Sequence, residues 1–96
     1  MSAFVVLIRN NTKDQAELDV YGALASQARD GHNITPLAFY GELERLEGQE
    51  PEGAVILKFD DIDAAKRWYY SPEYQTAKAH RNLGADYTVF ILDGVH

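Results

Sequence analysis

The side chains best suited to chemistry in this sequence are aromatic, and they gather in the stretch WYYSPEYQ, residues 68–75. Aromatic rings can stack on a planar small molecule, while an indole N–H or a phenol O–H binds one of its oxygens. The Ser-Pro pair interrupts a helical pattern and bends it, which could open a cleft between helix and sheet. We therefore expect Trp68 and Tyr69 to stack on a substrate and Tyr21, on the facing helix, to donate a hydrogen bond to it.

The same rings also have a simpler interpretation as packing. A bent helix leaves a gap over a twisted sheet, and large aromatic side chains fill such gaps. The two interpretations are compatible, because a pocket in a domain this small must be walled by core residues. We expect Tyr74 and Trp68 to be mainly buried, and Tyr69 to lie at the pocket with its hydroxyl available to a ligand.

Metal, thiol and nucleotide chemistry find little support in the sequence. There is no cysteine, and the three histidines, His32, His80 and His96, form no pair at helical ligand spacing. Serine-triad, P-loop and dinucleotide-binding fingerprints are absent from the sequence. We expect no metal site and no cofactor, and the sequence identifies no catalytic base.

Two arginines have both a structural and a functional interpretation. Arg9 ends an apolar strand and could bind a carboxylate ligand, although a salt bridge to an exposed acid is the more common use. Arg81 follows Tyr74 at helical spacing. We expect Arg81 to bond a loop or a partner chain.

Charge argues against polyanionic partners. Fifteen acidic and nine basic residues give a net charge of −6, which repels nucleic-acid phosphates and anionic lipid. The N-terminus has the wrong charge order for a signal peptide, and no apolar run reaches the length of a membrane span. The sequence predicts a cytoplasmic protein without nucleic-acid or membrane partners.

The elements that must position these side chains follow the order β-α-β-β-α-β in one domain, residues 1–96. We predict strands at residues 3–9, 34–48, 54–59 and 87–92, with a first helix starting at Thr12 as N-cap and Gln15 completing a capping box. Asp61 and Ser71 are predicted caps for the two pieces of the second helix, which is broken at Ser71-Pro72. The pattern predicts an α+β, ferredoxin-like antiparallel sheet with both helices on one face.

The predicted strands are apolar on both faces. In the first strand Phe4, Val6 and Ile8 alternate with Val5 and Leu7, so neither side is polar. A one-sided helical layer covers only one face, and a second copy of the chain is the simplest cover for the other. We therefore expect a homodimer through sheet faces. A charge on the second face, at a position such as Leu7 or Leu57, should dissociate or unfold it.

Three segments carry a resemblance to a known family. LEG at residues 46–48, AVILKFDDIDAAKRWYYSPEYQTAKAHR at residues 54–81 and GAD before the last strand resemble the DUF1330 family. That resemblance implies a dimeric α/β barrel, built from two ferredoxin-like sheets. Relatives in the same superfamily include cofactor-free monooxygenases, muconolactone isomerase-like enzymes and haem proteins. The family's usual Gly-Gly before the second-strand Glu is replaced here by Tyr40-Gly41.

Two functions remain in view from the sequence. The first is a cofactor-independent enzyme, of isomerase, lyase or oxygenase type, acting on a small molecule held between helices and sheet. The second is a non-catalytic dimeric module that binds a metabolite or assembles. A buried base would distinguish the enzyme from the module, and the sequence does not reveal one.

Overall fold

The computed structural model of the chain describes residues 2–95. Four strands and three helices follow one another in the order β1 (Ala3–Thr12), α1 (Gln15–Gln27), β2 (Thr35–Phe39), β3 (Gly53–Phe59), α2 (Ile62–Tyr69), α3 (Pro72–Gly84) and β4 (Ala85–Asp93). The predicted α+β, ferredoxin-like fold is confirmed, including the division of the second helical segment into two pieces. No helix in this range is both long enough and apolar enough to cross a membrane.

The strands form one antiparallel sheet in the order β2-β3-β1-β4. Val5 in β1 lies opposite Leu57 in β3 and Ile91 in β4, so these three side chains share a face. Val5 and Leu57 are buried, and Trp68 and Tyr74 from the helical layer join the same core cluster. The core therefore lies between the helices and this side of the sheet, which we call the helix face.

The other side of the sheet, which we call the open face, is also apolar. Val6 lies opposite Ile56 and Phe90, and Phe4 lies opposite Leu92. Phe90 and Leu92 are 42% and 57% exposed. Leu7 and Leu57 were assigned to the wrong face in the sequence analysis. Both are buried beneath the helices, because they continue the alternation that begins with Val5.

The first helix begins later than its sequence signal suggested. Its N-cap is Asp14, whose carboxylate accepts a hydrogen bond from the Ala16 N–H. Thr12 is instead the last residue of β1, and both its N–H and its hydroxyl donate to the carboxylate of Glu52. The capping box at Thr12 is therefore wrong, because long-range bonds to Glu52 hold Thr12 in the strand.

The second strand is much shorter than predicted. It ends at Phe39, and Tyr40 takes a φ of 50°, in the left-handed region that non-glycine residues rarely adopt. Residues 41–52 form neither helix nor strand. The left-handed backbone at Tyr40 turns the chain out of the sheet, so the predicted strand over residues 34–48 is wrong beyond residue 39.

Ser71 and Gln75 both bridge the break between α2 and α3, Gln75 by donating from Nε2 to the Tyr69 carbonyl at 2.7 Å. The Ser71 hydroxyl donates to the Trp68 carbonyl at 2.7 Å and accepts from the Tyr74 N–H at 3.2 Å. Pro72 occupies the first turn of α3, where its missing N–H costs no hydrogen bond. The predicted caps at Asp61 and Ser71 are confirmed.

Candidate functional site

A cavity of about 310 Å³ lies between α1 and the helix face of the sheet. The α1 residues along it include Gly22, Ala25 and Ser26, whose side chains are too short to fill the space down to the sheet. The complete lining is Leu7, Arg9, Gln15, Leu18, Tyr21, Gly22, Ala25, Ser26, Arg29, Phe39, Tyr40, Val55, Leu57, Trp68 and Tyr87. Its size and its mixture of apolar and polar side chains are those of a small-molecule site.

A chain of hydrogen bonds leads from a buried arginine to this cavity. Arg81 Nη1 donates to the Tyr74 hydroxyl at 3.0 Å, and that hydroxyl lies 2.9 Å from the hydroxyl of Tyr21. Tyr74 is fully buried, whereas Tyr21 lines the cavity. The guanidinium is thereby connected to the cavity through two phenols.

Only the first bond of this chain has a fixed direction. Arginine only donates, so the Tyr74 oxygen accepts from Arg81. The bond between the two phenols can run either way, because each hydroxyl can donate or accept. When Tyr74 donates, Tyr21 keeps its own hydroxyl hydrogen for a group in the cavity, and this is the arrangement that binds an oxygen there.

A second pair of phenols lines the same cavity. The hydroxyls of Tyr40 and Tyr87 are 2.5 Å apart, and the Tyr87 ring centroid lies 6.5 Å from that of Tyr21. A Cβ on Gly53 would come within 2.8 Å of the Tyr40 ring, so glycine at that position makes room for the ring. The left-handed backbone at Tyr40 and the absence of a side chain at Gly53 together bring Tyr40 to the cavity.

Arg81, at the buried end of the hydrogen-bond chain through Tyr74 to Tyr21, carries a positive charge without an acidic partner among residues 2–95. Arg81 is 4% exposed, and its guanidinium lies 5.4 Å from the Tyr87 ring centroid. Its Nε has no described hydrogen-bond partner. A desolvated guanidinium of this kind favours negative charge nearby, and the phenols transmit that preference to the cavity.

Trp68, on the cavity lining, carries a buried donor without a partner. The residue is 2% exposed, and no described residue accepts a hydrogen bond from its Nε1. Leaving a buried N–H unpaired costs about 1–3 kcal/mol. The ring of Trp68 supplies apolar surface on which a planar molecule can stack.

The phenols act as donors rather than bases at neutral pH. Burial raises the pKa of Tyr21 above its usual value, and burial likewise raises the pKa of Tyr40. Both therefore keep their protons throughout the physiological range. A protonated phenol can hydrogen-bond a carbonyl oxygen or an oxyanion but does not remove a proton from carbon.

The structure brings together two of the three residues expected to bind a substrate. Tyr21 and Trp68 both line the cavity, whereas Tyr69 is not among the described residues that do so. The Tyr69 ring packs against Trp68, Tyr70 and Tyr74 at the bend. Tyr69 is the last residue of α2, so its ring lies at the bend rather than along the cavity. The binding roles of Tyr21 and Trp68 stay predictions.

Sequence reasoning missed three contributors to this site. Tyr87 could have been found, because it shares the alternation of Val89 and Ile91 and so belongs to the helix face. Tyr40 could not, because its position depends on an unusual backbone conformation. Arg81 was expected to hold a loop or a partner chain, and it instead bonds the Tyr74 hydroxyl within its own helix.

Histidines and carboxylates do not assemble a metal site in the part of the chain that is described. No group of three or more His, Asp or Glu side chains is placed to hold an ion there. His80 Nδ1 lies 2.6 Å from the Glu17 carboxylate, in a contact between α3 and α1, and neither residue lines the cavity. His96 lies outside the described residues.

Comparison with known proteins identifies relatives by family and by fold. The sequence profile described as "Domain of unknown function (DUF1330)" matches residues 2–95. Among functionally curated proteins, none matches the chain.

Several solved structures share the fold at low sequence identity. A protein of unknown function from Rhodopseudomonas palustris is 15% identical, with a TM-score of 0.76 over 99% of this chain and 83% of that one. A dimeric ferredoxin-like protein of unknown function from Thermobifida fusca is 15% identical, with a TM-score of 0.66 over 98% and 92%. SnoaB, a cofactor-independent oxygenase from Streptomyces nogalater, is 12% identical, with a TM-score of 0.66 over 99% and 94%.

Proposed function

The chain belongs to the DUF1330 family, and from that premise we propose that it is a cofactor-independent enzyme for a small planar carbonyl or phenol compound. The cavity beneath α1 is the site of binding. Tyr21 donates a hydrogen bond to the oxygen on which negative charge develops, and Trp68 stacks on the planar body of the compound. The resemblance in fold to a cofactor-independent oxygenase agrees with this proposal but is too distant to carry it.

The observation that carries the proposal is the chain from Arg81 through Tyr74 to Tyr21. A buried cation without a described acidic partner is costly, and its hydrogen bonds lead to a donor on the cavity wall. Such an arrangement stabilises an oxyanion more than a neutral carbonyl, because its charge and its dipoles are fixed in advance. An enzyme that forms an enolate or a phenolate needs this kind of support.

The chemistry follows from what the lining can and cannot do. As a C–H bond next to the carbonyl breaks, its electron pair moves into the carbonyl system and leaves negative charge on oxygen, to which the Tyr21 hydroxyl donates a hydrogen bond. The described lining has no carboxylate or imidazole to accept the proton, so the proton passes to water. The proposal is therefore limited to substrates with an acidic C–H or O–H. Reprotonation at another carbon gives an isomerase, and reaction of the anion with molecular oxygen gives an oxygenase.

A test of this proposal does not require the natural substrate. The bicyclic ketone 2-tetralone has acidic C–H bonds beside its carbonyl, and their exchange with D₂O is visible by NMR. We expect the protein to accelerate this exchange, and Tyr21→Phe to remove about 100-fold of the acceleration, the usual effect of losing one oxyanion donor.

Tyr70→Phe is the matched control, because Tyr70 is exposed at the end of α2 and lies outside the cavity lining. This variant should accelerate the exchange of tetralone hydrogens with D₂O as much as the unchanged protein does. Binding of tetralone without faster exchange would contradict the enzyme and support the alternative, a non-catalytic metabolite-binding module.

The proposal includes a homodimer that pairs open faces. Phe90 and Leu92 are exposed on that face beside Phe4 and Val6, and solved relatives of similar fold are described as dimeric. Leaving such side chains in water costs about 25 cal/mol for each Å² of apolar surface. A second copy of the same face removes that cost on both chains.

A further inference from the structure

The charged residues of the cavity lining are positive, although the protein as a whole is acidic. The chain carries a net charge of −6, yet the charged residues that line the cavity are Arg9 and Arg29. No acidic side chain belongs to the described lining. The buried guanidinium of Arg81 adds a third positive charge behind Tyr74. A cavity of this kind attracts anions against the overall charge of the protein.

Arg9 is the cation most firmly held at the cavity. Its side chain is 26% exposed, and its guanidinium carbon lies 4.9 Å from the centroid of the Tyr40 ring. Its Nε is 3.2 Å from the Glu52 carboxylate, in a salt bridge that holds the side chain in place. Among residues 2–95, no side chain or backbone oxygen accepts a hydrogen bond from its Nη atoms, which leaves the fork of the guanidinium available.

Glu52 fixes Arg9 without occupying that fork. Both of its carboxylate oxygens accept hydrogen bonds from Thr12, at 3.0 Å from the N–H and 2.5 Å from the hydroxyl. Glu52 is itself outside the cavity lining. The expected salt bridge of Arg9 is thus present, and the arginine still borders the cavity with unused donors.

Contacts connect Arg9 to Tyr21, the proposed oxyanion donor. Arg9 lies over the Tyr40 ring, the Tyr40 hydroxyl bonds that of Tyr87, and the Tyr87 ring neighbours Tyr21. A bicyclic molecule within the cavity could therefore present one polar group to Arg9 and another oxygen to Tyr21.

We propose that the natural ligand is a small organic anion, with a planar apolar body and a carboxylate-type group bound by the Nη atoms of Arg9. This assignment rests on the proposed function only because both place the ligand in the same cavity. Arg29, exposed on the same wall, adds long-range attraction. The anionic group is a permanent feature of the ligand and is separate from the oxyanion that forms beside Tyr21.

Two probes of the same shape test the assignment by titration calorimetry: 2-naphthoate and its neutral counterpart 2-naphthamide. We expect the unchanged protein to bind naphthoate at least about tenfold more tightly than naphthamide. Arg9→Gln should abolish this preference by lowering the affinity for naphthoate without changing the affinity for naphthamide. Arg9→Lys, which keeps the charge but loses the fork, should retain part of it. Arg67→Gln, an exposed charge change outside the lining, is the matched control and should leave both affinities unchanged.

The outcomes separate the two proposals. Equal binding of naphthoate and naphthamide to the unchanged protein, or a preference that survives in folded Arg9→Gln protein, overturns the anion assignment. Tyr21→Phe should preserve the preference for naphthoate, even though it slows tetralone exchange. Failure of both probes to bind at millimolar concentration overturns the cavity as a ligand site and this inference with it.

Discussion

At the scale of single residues, the central feature is a buried arginine that forms no ion pair with any described residue. Removing a guanidinium from water costs several kcal/mol, and Arg81 recovers part of this through the hydroxyls of Tyr74 and Tyr69 and the face of Tyr87. Proteins keep such costly groups where their charge is needed. The proposed function supplies that need, because an anion formed beside Tyr21 is stabilised through the same hydrogen bonds.

Replacing Arg81 by methionine should therefore stabilise the fold while it removes activity. Methionine fills a similar volume without a charge to desolvate, so we expect the free energy of unfolding to rise by about 1 kcal/mol or more. Denaturant unfolding measures the change in the free energy of unfolding, and tetralone exchange measures the loss of activity. Arg67→Met, at an exposed position, should change neither quantity appreciably. A large destabilisation of Arg81→Met would show that the arginine is structural.

At the scale of elements, local sequence signals predicted a helix N-cap correctly where no distant residue bonded the capping side chain. Ser71 and Asp61 cap their helices as their sequences indicate, because each cap needs only a neighbouring backbone N–H. Thr12 has an equally good local signal, but Glu52, forty residues further along, holds it in the strand. The early end of β2 at Tyr40 was likewise hidden, because a left-handed tyrosine has no sequence signature.

The bend between α2 and α3 gives a prediction at this scale. Ser71→Ala removes both the cap of α3 and the bond to the Trp68 carbonyl, so it should lower the free energy of unfolding by about 1–2 kcal/mol. Thr76→Ala is the control, because its hydroxyl donates to the Pro72 carbonyl on an exposed helix surface and should matter less. Thermal unfolding followed by circular dichroism compares the two. Equal losses would mean that Ser71 has no special role at the bend.

At the scale of the whole molecule, the order of the elements predicted the sheet and the helical layer, and apolar residues on both sides of the strands predicted an apolar second face. Leu7 and Leu57 were nevertheless placed on the wrong side. Alternation divides the strand residues between two faces, whereas only the packing of the helices shows which face they cover. The cavity could not be predicted in this way, since it arises where small α1 side chains fail to reach the sheet.

Phe90→Glu tests the pairing of open faces. Phe90 is 42% exposed in the single chain, so a charge there should leave the protomer folded but should disrupt a dimer in which the face is buried. We expect sedimentation equilibrium to give a dimer mass for the unchanged protein and a monomer mass for the variant. Tyr70→Glu, on an exposed helix end, should remain dimeric. A monomer mass for the unchanged protein at micromolar concentration contradicts the homodimer.

The claim that the cavity stabilises an oxyanion is tested most directly by the ionisation of a bound phenol. The probe 6-hydroxy-2-naphthoate carries a carboxylate for Arg9 and a naphthol whose ionisation is visible by absorbance. If the chain from Arg81 to Tyr21 acts as proposed, the ionised naphthol should bind about tenfold more tightly than the neutral form, and the pKa of the bound naphthol should fall accordingly. Tyr21→Phe should return the pKa close to its value in water. A naphthol pKa that is unchanged or raised on binding to the unchanged protein would contradict the account.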